Sequence, residues 1–139
     1  MMIRLQDFAG RWSMAREIED FRVDARSELT GTCDFVPDAE GGFRQEERGF
    51  LHLPGRDKPL QAERRYLWRA VAQEITVFFD DGRFFHSFDP NASAPEADHA
   101  CDPDSYQVRY EFADWPNWTA NWRVTGPRKD YRFQTRYWR

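Results

Sequence analysis

From Trp12 to Trp138 the chain alternates between large apolar and polar side chains in short runs cut by turn residues. A period of two sends successive side chains to opposite faces of a strand, and it does not produce the 3.6-residue stripe of a packed helix. Trp12, Met14, Arg16 and Ile18 share one face of a first strand, with Ser13, Ala15 and Glu17 on the other. A polar connection to about Leu29 precedes a short strand from Thr30 to Val36, closed by Pro37 and the Gly41-Gly42 pair. Further strands are predicted over residues 43–53, 60–71, 74–79 and 84–88, divided by Pro54-Gly55, Ala72-Gln73 and Asp81-Gly82. The Asp-Gly step between two aromatic runs is a strong hairpin signal. Residues 90–102 read as a loop, and strands over 105–112, 118–125 and 129–138 complete the chain. Ahead of the first strand, residues 1–9 have room for a turn or two of helix, with Ile3, Leu5 and Phe8 as the apolar face of a plug or lid.

Short strands joined mostly by tight turns predict an all-β fold, an antiparallel up-and-down barrel of about nine strands with a short N-terminal helical turn. A two-sheet sandwich is the runner-up, but closure better protects the edges of so aromatic a sheet. Residues 1–139 are expected to form a single domain, since that length suffices for one core and no linker or repeat interrupts it. The formal net charge of -4 disfavours nucleic acid as a partner, although Arg123, Arg128, Lys129, Arg132, Arg136 and Arg139 cluster near the end. Only Cys33 and Cys101 are present, no signal segment opens the chain, and no apolar run would span a bilayer. A cytoplasmic protein without a membrane partner is therefore expected, and nothing in the sequence speaks to its oligomeric state.

Strand by strand, the alternation predicts an unusual interior. Tyr106, Val108, Tyr110 and Phe112 share a face, as do Trp118, Ala120, Trp122 and Val124. Lys129, Tyr131, Phe133, Thr135 and Tyr137 form another such set, and Ala62, Arg64, Tyr66, Trp68 and Ala70 a fourth. Arg16, Arg64 and Lys129 thus point inward among aromatic rings, where an unpaired charge costs several kcal/mol. Two accounts stay open. The cations pair with inward carboxylates such as Glu47 or with tyrosine hydroxyls, or they line a wet cavity and receive the anionic group of a ligand whose apolar body stacks on Trp and Tyr.

Gly10-Arg11-Trp12 at the start of the first strand, after a short helical turn, resembles the Gly-x-Trp signature of lipocalin and calycin barrels. That resemblance implies an arginine from the last strand covering the Trp12 ring, a part open to Arg136 or Arg139. A wider resemblance rests on Gly10-Arg11-Trp12 with Arg16 and Ile18, Arg65-Tyr66 with Trp68, Asp81-Gly82-Arg83 with Phe85-His86, His99 with Cys101, Asp104 and Tyr106, and Gly126-Pro127 with Lys129 and Tyr131. Together these are similar to a family of uncharacterised bacterial calycin-like domains of unknown function. It implies the fold and nominates residues near the Asp81-Gly82 turn and the acidic loop, without supplying a reaction.

At that turn Arg83 and His86 are expected at the barrel mouth, where Arg83 bonds a neighbouring aspartate or, with His86, contacts a ligand. His99, Cys101 and Asp104 offer metal-ligand residue types, but their spacing matches no standard zinc pattern, so no metal and no cofactor is expected. Walker, His-Glu-x-x-His and Gly-x-Ser-x-Gly signatures are missing from the sequence. The expected function is binding of a small, anionic and partly aromatic or acyl ligand. Arg16, Arg64 and Lys129 would neutralise it, Tyr66, Tyr106, Tyr131 and Trp122 would wall it, and Arg83 and His86 would sit at the mouth. An enzyme using His or Tyr for acid–base work, and a structural or protein-interaction domain with a filled core, are the alternatives.

Overall fold

The computed structural model describes residues 2–139, in which ten strands follow one 3-10 turn, Leu5–Phe8. The strands are β1 (Gly10–Asp20), β2 (Ala25–Pro37), β3 (Phe43–His52), β4 (Leu60–Val71), β5 (Glu74–Phe79), β6 (Phe84–Phe88), β7 (Glu96–Cys101), β8 (Asp104–Glu111), β9 (Trp118–Thr125) and β10 (Asp130–Trp138). The strand beyond the expected nine is β7, which lies in the acidic stretch expected to be loop. Its side chains carry little apolar alternation, and it is held instead by pairing with β8 from Glu96↔Arg109 to Cys101↔Asp104. The β2 strand also starts at Ala25 rather than near Thr30, pairing with β1 along its length while Arg26 and Glu28 stay exposed.

All ladders are antiparallel, in the order β6-β5-β4-β3-β2-β1-β10-β9-β8-β7. The β1–β10 pairing carries the meander back on itself and nearly closes the barrel. The seam lies between β6 and β7, which share no ladder among the described residues. Side chains bridge it instead, with Phe85 of β6 edge-on to His99 of β7 at 5.2 Å between ring centres. Opposite the seam, Gly31 faces Gly49 across β2 and β3, and a Cβ on Gly31 would collide with the Arg48 carbonyl. Glycine at both positions lets the two backbones come together this closely.

One end of the barrel is solid with rings. Phe8, fully buried, packs against Trp115 at 5.0 Å, Trp68 and Trp118 at 5.3 Å, and Phe35 at 5.6 Å. Trp12 donates its indole N–H to the Phe8 carbonyl at 2.8 Å. The Arg139 guanidinium lies 3.8 Å from the centre of the Trp12 ring and donates to the Ala9 and Asp7 carbonyls at 2.7 and 2.8 Å. The last residue therefore ties β10 to the N-terminal turn. Arg136 takes no part in closure: it is on the outward face of β10, exposed, with its guanidinium 5.7 Å from the Trp138 ring. Asn91, from the β6–β7 connection, completes this end by a two-way hydrogen bond with the Ile3 backbone.

Trp12 has no exposed surface and sits under an arginine, so Trp12→Ala should cost about 3 to 5 kcal/mol as a large core truncation. Denaturant melts showing a loss under about 1 kcal/mol would contradict this packing.

Candidate functional site

Above the ring-filled end, the interior holds a polar layer whose members come from β1, β3, β4 and β10. Arg16 and Glu47 pair at 2.8 Å with both side chains about 5% exposed. Arg16 also donates to Thr135 Oγ1 at 2.7 Å, and the Tyr137 hydroxyl donates to Glu47 at 2.5 Å. Gln45 accepts from the Trp68 indole at 2.7 Å, which links the layer to the rings below. Burial alone would raise the Glu47 carboxyl, but the Arg16 guanidinium and the Tyr137 hydrogen bond outweigh it and hold the pKa below the usual value. The same pairing keeps Arg16 charged despite its burial. The structural account thus holds for Arg16, whose charge is already neutralised.

Over this floor lies a cavity of about 240 Å³, lined by residues of β1, β3–β6 and β8–β10. It reaches towards the end of the barrel where the β3–β4, β5–β6 and β9–β10 hairpins lie. Tyr66, Tyr106, Trp122 and Tyr131, the walls expected from alternation, all line it. Arg64 lines it as well, exposed, 5.4 Å from the Phe133 ring centre and with no carboxylate within 4 Å among the described residues. On the outer face a larger, shallower concavity of about 740 Å³ crosses β1, β10, β9, β8 and β7. There Arg132 is paired with Glu19 and Arg109 with Glu96, both at 2.9 Å.

Two of the nominated cations do not line the cavity. Lys129, expected inside, precedes β10 and is held at the rim by Asp104 at 3.0 Å and the Tyr106 hydroxyl at 3.2 Å. Those two contacts, the Tyr106 bond foremost, raise its pKa further. Arg83 remains in the β5–β6 turn, three-quarters exposed, paired with Asp81 at 2.7 Å and outside the cavity. In both cases a carboxylate close by in a hairpin holds the cation away from the interior.

His86 is not at the mouth but buried in the cavity wall, 2% exposed. Its Nε2 lies 2.9 Å from the Tyr110 hydroxyl, itself buried, and its ring packs against Phe85, Phe88 and Trp122. Burial, with a smaller push from His99, lowers the imidazole to about 3, so it is neutral at physiological pH. Simple alternation puts Phe85 and His86 on opposite faces, yet both are buried. A bulge explains this: Val77 pairs with His86 and Phe78 with Phe84, leaving Phe85 as the extra residue. Phe85 stacks on Phe79 at 4.4 Å and Trp122 at 5.1 Å, and it forms part of the cavity lining.

His99, Cys101 and Asp104 do not converge. His99 packs on Phe85 and Phe79, Cys101 is exposed, and Asp104 holds Lys129. No group of three or more His, Cys, Asp or Glu suited to a metal ion occurs among the described residues. No helix of the described chain is long and apolar enough to cross a membrane.

Two outcomes are expected. Glu47→Gln strands a buried guanidinium and should cost about 3 to 5 kcal/mol in denaturant melts. A cost near zero would mean that Arg16 finds another partner or solvent. For His86, the unfolded imidazole takes a proton near pH 6.5 and the folded one only near 3, so stability is lost as pH falls between those values. Linkage gives a loss of about 2 kcal/mol between pH 7.5 and 5. His86→Gln should remove that part of the slope, and an unchanged slope would show that the buried imidazole does not govern it.

The barrel is similar to a solved structure, that of the S-type phycobiliprotein lyase CPES from Guillardia theta, with a TM-score of 0.61 over 96% of this chain and 87% of that one. At 8% sequence identity the likeness is one of fold. No curated protein sequence matches the chain. Residues 8–139, from the buried Phe8 to the Arg139 that covers Trp12, match DUF6314, and the chain belongs to this family of unknown function.

Proposed function

We propose that this barrel binds a small molecule with an acidic group, its apolar body against the cavity rings and its anion at Arg64. The observation that carries this reading is the Arg64 guanidinium, which lines the cavity without a carboxylate partner among the described residues. Arg16 contributes no net charge because Glu47 cancels it, so the field at the floor is close to neutral and the preference for an anion comes from Arg64. Tyr66, Tyr131 and Phe133 surround that end of the cavity and offer faces to a flat or aliphatic body. The likeness to the phycobiliprotein lyase supports the fold that encloses this cavity, and the ligand class rests on the cavity's own residues.

Since Arg64 is exposed and leaves no carboxylate stranded, Arg64→Met should change stability by less than about 1 kcal/mol. Thermal melts of the parent with a panel of carboxylates and phosphates should show stabilisation by at least one member, and Arg64→Met should lose that response. A parent indifferent to the whole panel, or a variant that responds as the parent does, would overturn the proposal.

A further inference from the structure

The floor and wall of the cavity differ in how completely their polar atoms are satisfied. Arg16, Glu47, Tyr137 and Thr135 bond one another, and Gln45 is bonded to Trp68. Two other nitrogens on cavity-lining residues, His86 Nδ1 and Trp118 Nε1, are buried and have no hydrogen-bond partner. Buried polar atoms are nearly always paired, so an exception in a cavity wall calls for an explanation.

The protonation of His86 follows from counting partners. The imidazole is neutral, so one ring nitrogen carries the proton and the other accepts. If Nε2 donated to Tyr110, the Tyr110 hydroxyl proton and the Nδ1 lone pair would both be left buried and unpaired. If Tyr110 donates to Nε2, only one donor at this pair, Nδ1–H, is left over. The second arrangement leaves fewer unpaired groups and makes His86 Nδ1–H a donor, as the indole N–H of Trp118 must be. The unpaired groups around the cavity are thus two donors, well inside the barrel from Arg64.

From this we infer that the inner end of the ligand carries a hydrogen-bond acceptor oxygen, received by His86 Nδ1–H, while its acidic group meets Arg64. The inference rests on the reading of the cavity as an anion-ligand site and narrows the ligand to a class, a compact aromatic acid with an oxo substituent remote from the carboxylate. Size points the same way. An apolar cavity of about 150 Å³ holds benzene, so about 240 Å³ takes roughly ten non-hydrogen atoms, a ring with a short substituent rather than a long acyl chain. His86 Nδ1 has no open surface, and uptake needs a neighbouring ring to shift. Phe85, 4.6 Å from the imidazole centre, is placed for that, being the extra residue of a bulge on a strand with a free edge.

A matched pair of probes tests this, 4-acetylbenzoate and 4-isopropenylbenzoate, which share one planar skeleton and differ by a carbonyl oxygen in place of a methylene. Isothermal titration of the parent should find the acetyl compound bound at least about ten-fold more tightly, and the preference should fall below about three-fold in His86→Leu. Because this variant could disturb folding, a second readout uses the unmodified chain. The His86 Nδ1–H resonance of nitrogen-15-labelled protein should move downfield with 4-acetylbenzoate and not with 4-isopropenylbenzoate. Equal affinity for both probes, lost in Arg64→Met, would overturn the inner acceptor and leave the anion site standing. Binding of neither probe would overturn the proposed ligand class, and the carboxylate and phosphate panel would then decide separately whether the anion site survives.

Discussion

The ion pair of Arg16 and Glu47 organises the inside of this barrel. Taking both charges out of water costs several kcal/mol for each ion, and the interior repays it only because further hydrogen bonds complete the pair. Thr135 accepts from Arg16 and Tyr137 donates to Glu47, so β1, β3 and β10 are fixed in mutual register by one cluster. A slip of one residue in any of them would turn a charge or its partner to the opposite face. The cluster also divides the interior. Packed rings fill the space below it, the cavity lies above it, and the Trp68–Gln45 hydrogen bond joins the two regions.

That division explains which parts of the molecule were legible in the sequence. The period of two is a local signal, so most strands and their inward faces followed from it, including the row Phe133, Thr135 and Tyr137 and the inward turn of Arg16 and Arg64. Arg139 over Trp12 followed from a resemblance rather than from periodicity, and the choice between it and Arg136 needed the β10 register. The β7 strand carries no such signal, because cross-strand pairing holds it more than apolar alternation does. The Arg83–Asp81 pair is open to the sequence as a local alternative, whereas the Lys129–Asp104 pair joins two different hairpins and cannot be weighed against a cavity until both exist.

The bulge at Phe85 is a different kind of omission. Alternation assumes an unbroken ladder, and a single extra residue reverses the facing of everything on one side of it. With the ladder unbroken, Phe85 would point away from His86. In the barrel both are buried, and the two side chains with Tyr110 and Trp122 build one wall of the cavity. No residue type in the Phe84–Phe88 run announces this, because the shift depends on how β6 meets β5.

The likeness to the lyase barrel shows how far architecture constrains use. Two chains 8% identical share the fold over nearly their full lengths, so the meander and its closure tolerate almost complete replacement of side chains. Ligand size and chemistry depend instead on what fills the interior. Here Phe8 plugs one end, Phe85 intrudes from the bulge, and the space left, about 240 Å³, falls below the roughly 300 to 1,000 Å³ of most drug-sized sites. Most of that filling is permanent, because Phe8 is locked among Trp12, Trp68 and Trp118, whereas Phe85 stands on an edge strand bonded on one side only. The seam between β6 and β7, held by rings rather than by a ladder, is therefore where this interior can change volume at least cost to the rest of the sheet.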